Sequence, residues 1–386
     1  MQKFPYWRLS VYYFFYFSYL GGFSPYFGLY LQSLSFSAWD IGILMSQMQV
    51  MRVLGPYFWG ALADRIGQRL KIIRTTSMAT LLIFSAFFFV TRFEAIFIVL
   101  AVLSFFWVAA LPLVEALAFD HLRSKPAGYG RIRIWGSLGF IVAVVLIGGL
   151  LDHFGLSSLL WAIMLLLAGT VTQAFLLPEA AQTKRQEEAQ RPITEIIRQP
   201  HVRALLAACF FMTAAHGALN IFYSIFLNDH GYSKSAVGGL WSVGVLAEIL
   251  VFFYMTALLT RFSIRTILLT SFVAAVFRFA LIGLGVNYLP LLLLTQVMHG
   301  LTFGAFHAAA IATINRFFPG NTRSRGQALY SSISFGAGGL VGGLLSGWVW
   351  ETLGGEASFI LSSLYAFIGL LLVARWVRDS ALEPTA

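Results

Sequence analysis

Runs of about twenty apolar residues recur along the whole chain, separated by short polar segments. A helix rising 1.5 Å per residue needs about that length to cross ~30 Å of hydrocarbon. The pattern therefore predicts twelve spans, at 8–31, 41–63, 73–91, 95–119, 133–151, 156–177, 203–227, 235–260, 265–285, 288–315, 327–350 and 357–376. The longest polar stretch, 178–202, reads as a linker between two halves of six spans, 1–177 and 203–386. The expected fold class is an all-α integral membrane protein. Composition agrees, because 59% hydrophobic and 11% charged residues could not cover the surface of a soluble protein.

A net charge of +10 could signal nucleic acid, but the positions of the basic residues exclude it. Twenty-two of the twenty-six lysines and arginines fall on alternate loops and the termini, the positive-inside pattern of a polytopic protein. Both termini are thus expected to be cytoplasmic. Span one is long and lacks a small-residue cleavage site, so it is expected to remain in the protein. A single cysteine, Cys209, excludes an internal disulfide and a cysteine metal cluster. No phosphate-binding glycine loop, HExxH or GxSxG is present. Neither enzyme nor ATP-driven motor is indicated, no metal or cofactor is expected, and any transport would draw on an ion gradient. The expected partners are a small solute, protons and the lipid bilayer, with the chain acting as a monomer.

The ionisable residues deep in the spans are Arg52, Glu115, Glu248 and Arg278, with Arg133 at the end of span five. A charge at mid-membrane costs ~3 kcal/mol on insertion scales, so such groups face a bundle interior, find partners and mark function. The bland reading is that they knit helices together. The halves are related by a shift of 196 positions, which lays Gly21 on Gly217, Gly42 on Gly238, Leu44 on Leu240 and Arg65 on Arg261. Repeats of this kind underlie alternating access in transporters. The same shift lays Arg52 on Glu248, an equivalence rather than a presumed contact.

Tyr12, Tyr16, Tyr19, Phe23, Tyr26 and Tyr30 fall at steps of three and four, one helical face of span one. That stripe either lines a wet cavity, where hydroxyls find partners, or packs helices. His216, Asn220 and Tyr223 share a face of span seven, and Gln296, His299 and Thr302 one of span ten. Glycines crowd spans five and eleven, which allows helices to approach closely. In the loop after span two, Gly60 would permit close helix contact, Asp64 would bond helix-end amides or an arginine, and Gly67 would make a tight turn. With Arg65 and Arg69 they form a candidate cytoplasmic gate; the bland reading is a solvated loop.

The segment GALADRIGQR at 60–69 resembles the signature loop of the major facilitator superfamily. YGRIRIWGSLGF at 129–140, preceded by Pro112 and Glu115, and GYSKSAVGGLWSVGVLAEILVF at 231–252 are similar to the 3-phenylpropionate permease family, related to lactose, oligosaccharide and nucleoside proton symporters. The resemblance runs end to end. It implies twelve transmembrane helices in two pseudosymmetric six-helix bundles and a proton-coupled importer of a small organic solute, an aromatic carboxylate first and a sugar or nucleoside second. Glu115 and Arg133 match sugar-contacting positions of the lactose branch, and Glu248, Arg278 and His299 match members of its proton-coupling network. The expected partners of Glu248 are Arg278 first and His299 second. The proton-carrying acid of that branch corresponds here to Thr302, which leaves Glu248 to carry the proton. The expected substrate residues are Tyr16, Tyr19, Phe23, Arg52, Glu115, Arg133, His216, Asn220 and Trp241. Drug export, or sensing without transport, are the readings from other classes.

Overall fold

The computed structural model describes residues 5–122, 128–179 and 193–378. Twelve helical rods account for almost all of them. These are α1 (Tyr6–Ser33), α2 (Ala38–Ile66), α3 (Arg69–Phe88), α4 (Phe93–Leu122), α5 (Gly128–Phe154) and α6 (Ser158–Leu176). The second set comprises α7 (Pro200–Asp229), α8 (Lys234–Arg261), α9 (Ile264–Gly285), α10 (Leu289–Phe317), α11 (Gly320–Leu353) and α12 (Gly355–Trp376). Helices prevail because hydrocarbon offers no water to backbone N–H and C=O groups, so each segment must bond internally. Ten of the rods are long and apolar enough to cross a membrane by composition alone. The other two, α1 and α2, are 28 and 29 residues long. Their hydropathy is diluted by the tyrosines of α1 and by Gln47, Gln49 and Arg52 of α2.

Several rods are locally reshaped. Prolines lie inside α1, α2 and α4, at Pro25, Pro56 and Pro112. α7 breaks at His216, and α10 and α11 each widen into a π-helical turn, at Gly300–Ala305 and Ser332–Gly338. Much of the expected linker, residues 180–192, lies outside the described residues, as do Lys3, Arg123 and Lys125. The described remainder of the linker contains a short helix, Thr194–Arg198.

Two compact units are present. One contains residues 1–36, 50–185 and 232–239, and the other residues 37–49, 186–231 and 240–386. The first turns of α2 cluster with the second unit and the start of α8 with the first. Inside the first unit α1 lies against α5 at backbone distance: a Cβ on Gly139 would overlap the Phe14 carbonyl oxygen, and one on Gly21 would sit 2.5 Å from that of Phe140. Inside the second unit α7 meets α11 in the same way. A Cβ on Gly338 would sit 2.5 Å from the Phe210 oxygen, and one on Gly217 would overlap the Gly342 carbonyl carbon. The shift of 196 carries Phe14 and Gly21 onto Phe210 and Gly217, and a shift of 199 carries Gly139 onto Gly338. The sequence repeat is thus a repeat of one helix contact.

Gly67 has a φ of +68° and makes the turn between α2 and α3. Gly60 has no neighbour within 4 Å of where a Cβ would stand, so the close helix contact expected of it is absent.

Because only a hydrogen fits at Gly139, Gly139→Ala should push α1 from α5 and destabilise the protein by about 1–3 kcal/mol. Gly130→Ala, in open space on the same helix, should be neutral or stabilising by up to about 1 kcal/mol. Thermal unfolding of the two purified variants checks the contrast.

Candidate functional site

In the first unit the aromatic face of α1 is packed rather than open. Tyr16 and Tyr19 are buried, and both pack on Trp107 of α4, with ring centroids 4.0 and 4.1 Å away. Phe23 continues the column, 5.4 Å from Tyr19 and 4.4 Å from Phe27. The Tyr26 hydroxyl donates to the Val144 carbonyl at 2.6 Å, whereas the Tyr19 hydroxyl is buried with no partner among the described residues. In this state the stripe packs against α4 and α5.

Three ionisable groups stand around this column. Arg52 of α2 is exposed, stands within electrostatic range of the neutral Tyr16 side chain, and forms no ion pair among the described residues. Arg133 of α5 is half-buried, its guanidinium 4.0 Å above the Phe17 ring, a cation–π contact. Glu115 of α4 accepts a hydrogen bond from the Tyr129 hydroxyl at 2.8 Å. Glu115 and Arg133 are therefore held by aromatic partners and not by each other.

The second unit holds a polar cluster where α7, α9 and α10 meet. Arg278 is fully buried, unusual for a cation. Its Nε donates to the Thr295 carbonyl at 2.8 Å and one terminal nitrogen to the Thr302 hydroxyl at 3.0 Å, with His216 Nε2 3.4 Å from that nitrogen. The π turn of α10 contains Thr302, and such turns often mark functional sites. His216 Nδ1 donates to the Met212 carbonyl at 2.8 Å, leaving Nε2 as the acceptor facing Arg278. His299 Nε2 is 3.8 Å from a Glu248 carboxylate oxygen, and its ring lies 6.1 Å from that of His216. The other terminal nitrogen of Arg278 and Nδ1 of His299 are buried without partners among the described residues.

The expected order of partners for Glu248 is therefore corrected: His299 stands beside it, and no carboxylate lies within ion-pair distance of Arg278 among the described residues. Arg278 finds three neutral acceptors instead, among them Thr302. Trp241 of α8 donates to Ser224 at 3.0 Å, and Gln296 of α10 to the Tyr223 hydroxyl at 2.7 Å. Asn220 is exposed.

At the loop after α2, Asp64 and Arg65 are exposed and make no ion pair among the described residues. Arg69 pairs instead with Asp120 at the end of α4. Among the described residues Asp64 bonds neither helix-end amides nor an arginine in this state.

Two residues central to these clusters escape a reading of the sequence. Trp107 is one more aromatic residue in an apolar span; its one signal is that tryptophan is scarce mid-span and favours interfaces. Tyr129 lies two residues from a run of arginines and looks like a loop anchor.

Among the described residues the chain is helical rods carrying an internal repeat and charges buried within the spans, features of polytopic solute transporters. The chain belongs to the MFS_1 like family, whose model matches residues 6–361. It is 29% identical over 358 residues to the probable 3-phenylpropionic acid transporter of Escherichia coli (strain K12), covering 92% of this chain and 93% of that one. It is 26% identical over 379 residues to the maltose permease of Geobacillus stearothermophilus, covering 97% and 95%. The fold is that of the nucleoside transporter NupG, whose point-mutant structure matches with a TM-score of 0.88 at 21% identity over 96% of this chain and 99% of that one.

The hydrogen bonds of Arg278 yield a prediction. Arg278→Met leaves the Thr295 carbonyl, Thr302 and His216 without their donor and should destabilise the protein by about 1–3 kcal/mol. Arg278→Lys should recover only part of this, because a single ammonium cannot reproduce the planar fork. Thermal unfolding with Arg375→Met, an exposed arginine, as control measures the difference.

Proposed function

We propose that the protein imports a small aromatic carboxylate of the phenylpropionate type together with protons, by alternating access, across a bacterial inner membrane with both termini cytoplasmic. The observation that supports this most is Arg52, a cation on a membrane span with no carboxylate partner among the described residues, beside the Tyr16–Trp107 stack. A monoanion with one ring satisfies both features: its carboxylate takes the guanidinium in a charge-assisted pair and its ring extends the stack. Arg133, spare of carboxylate in the same way, is the second cation available to an anionic solute. The name of the Escherichia coli relative points to the same solute class.

Glu248 carries the proton in this reading. Of the two deep acids, Glu115 is engaged by Tyr129, whereas Glu248 has a titratable neighbour in His299. A carboxylic acid and an imidazole at this spacing pass a proton between them with small movements, and Arg278 behind them favours the ionised acid when it approaches. A second reading, an uncharged nucleoside or sugar, is favoured by the neutral hydrogen-bonding pairs Tyr223–Gln296 and Trp241–Ser224.

Proteoliposomes with an imposed inward-directed proton gradient separate the two. Labelled 3-phenylpropionate should accumulate and maltose and nucleosides should not; robust sugar or nucleoside uptake with no aromatic-acid uptake overturns the proposal. Glu248→Gln should keep counterflow but lose gradient-driven accumulation. Arg52→Gln should raise KM for the acid by about tenfold or more, the loss of ~1.5–3 kcal/mol for a hydrogen bond to a charged group.

A further inference from the structure

Two carboxylates at the membrane face opposite the basic loops perform the same task in the two units. Near the end of α5, Asp152 accepts the backbone N–H groups of Lys234 and Ser235, each at 2.8 Å, and the Ser235 hydroxyl at 2.5 Å. Near the end of α11, Glu351 accepts the backbone N–H groups of Ala38 and Trp39 at 2.9 and 3.4 Å. Lys234 and Ala38 are the first residues of α8 and α2. The shift of 196 carries Ala38 onto Lys234, and the shift of 199 carries Asp152 onto Glu351. Each acid thus caps the start of a helix from the opposite half of the sequence, where four N–H groups lack intrahelical acceptors and the helix dipole attracts negative charge.

The layer beneath each cap repeats as well. A Cβ on Gly238 would lie 2.5 Å from the Val144 oxygen, and one on Gly42 3.1 Å from the Gly347 Cα, so α8 meets α5 and α2 meets α11 almost backbone to backbone. On the first of these pairs the Tyr26 hydroxyl reaches both the Val144 and the Lys234 carbonyl oxygens, at 2.6 and 3.2 Å. At the basic-loop face the charged residues Asp64 and Arg65 are exposed and form no ion pair among the described residues.

We infer that Asp152 and Glu351 are paired latches that hold this face shut, and that solute access from it requires both helix starts to leave their carboxylates. The two latches differ in strength. Asp152 receives three hydrogen bonds and has the Tyr26 bridge below it, whereas Glu351 receives two, one of them long. The Glu351 latch is accordingly the first to release. This inference does not depend on which solute is carried.

The test uses maleimide labelling of the full-length protein in nanodiscs, without substrate. Val237→Cys and Leu44→Cys, each at a fully buried position on the capped segments, are made in a Cys209→Ala background. Asp152→Ala should raise the labelling rate at position 237 at least fivefold, and Glu351→Ala the rate at position 44 about two- to fivefold. Asp152→Asn, which retains acceptor oxygen but no charge, should fall between Asp152→Ala and the parent. In a separate Asp152→Ala variant that keeps it and has no reporter, the native Cys209, buried in α7, serves as the folding control and should stay unreactive. Rates within twofold of the parent at both reporters overturn the inference, as does a parallel rise at Cys209, which signals general loosening. Should Asp152→Ala fail to yield monodisperse protein, Asp152→Asn and Ser235→Ala decide in its place, and no rise in either overturns it.

Discussion

The absence of water from the hydrocarbon interior governs this structure at every level. Backbone groups unable to bond to solvent must bond within their own helix, which dictates the twelve rods. Side-chain polar groups obey the same accounting one step later. Ser18 returns its hydroxyl to the Phe14 and Gly139 carbonyls, Tyr26 to Val144, and Ser334 to Cys209. Hydrophobic burial cannot hold such helices together, since lipid tails are as apolar as leucine; close packing and interhelical hydrogen bonds do so instead. Gly139 and Gly338, each against a phenylalanine carbonyl, are the positions where that requirement is strictest.

This constraint also explains what can be read from the sequence. Twelve spans are visible because hydropathy is a property of the segment itself, and the repeat is visible because the close contacts demand glycine at equivalent positions. The exchange of helix starts between the two units is invisible. It depends on Asp152 and Glu351, which stand at span ends where acids are ordinary. Trp107 and Tyr129 are hidden for the opposite reason, being aromatic residues in a chain that is 16% aromatic. Gly60 is misleading because its surroundings in the superfamily's loop motif suggest packing, while the structure leaves it in open space.

The partner of Glu248 turns on a point of chemistry. A buried arginine is expected to seek the nearest carboxylate, yet Arg278 bonds to a backbone carbonyl, a threonine hydroxyl and an imidazole nitrogen, and its other terminal nitrogen has no partner among the described residues. Neutral acceptors take up part of the guanidinium's hydrogen bonding, and Thr302, at the position matched to the lactose branch's acid, supplies one of them. What neutral acceptors cannot do is cancel the charge. That distinction separates satisfying hydrogen bonds from balancing electrostatics, and only the second has to be solved by a mobile group.

The balance can be drawn for the spans together. The spans contain three arginines, Arg52, Arg133 and Arg278, and two deep acids, Glu115 and Glu248, and among the described residues none of the three arginines forms an ion pair. An ionised Glu115 and Glu248 leave one positive charge over, and a protonated Glu248 leaves two. A solute that entered as a neutral sugar would alter neither sum. A monocarboxylate cancels the excess in the first state and halves it in the second, so binding of an anion and protonation of Glu248 each lower the cost of the other. Reciprocity of this kind is what coupling requires, because two ligands that favour one another's binding are carried as a pair. The charge count of the spans is thus a second ground, beside the aromatic stack, on which the proposed anionic solute rests.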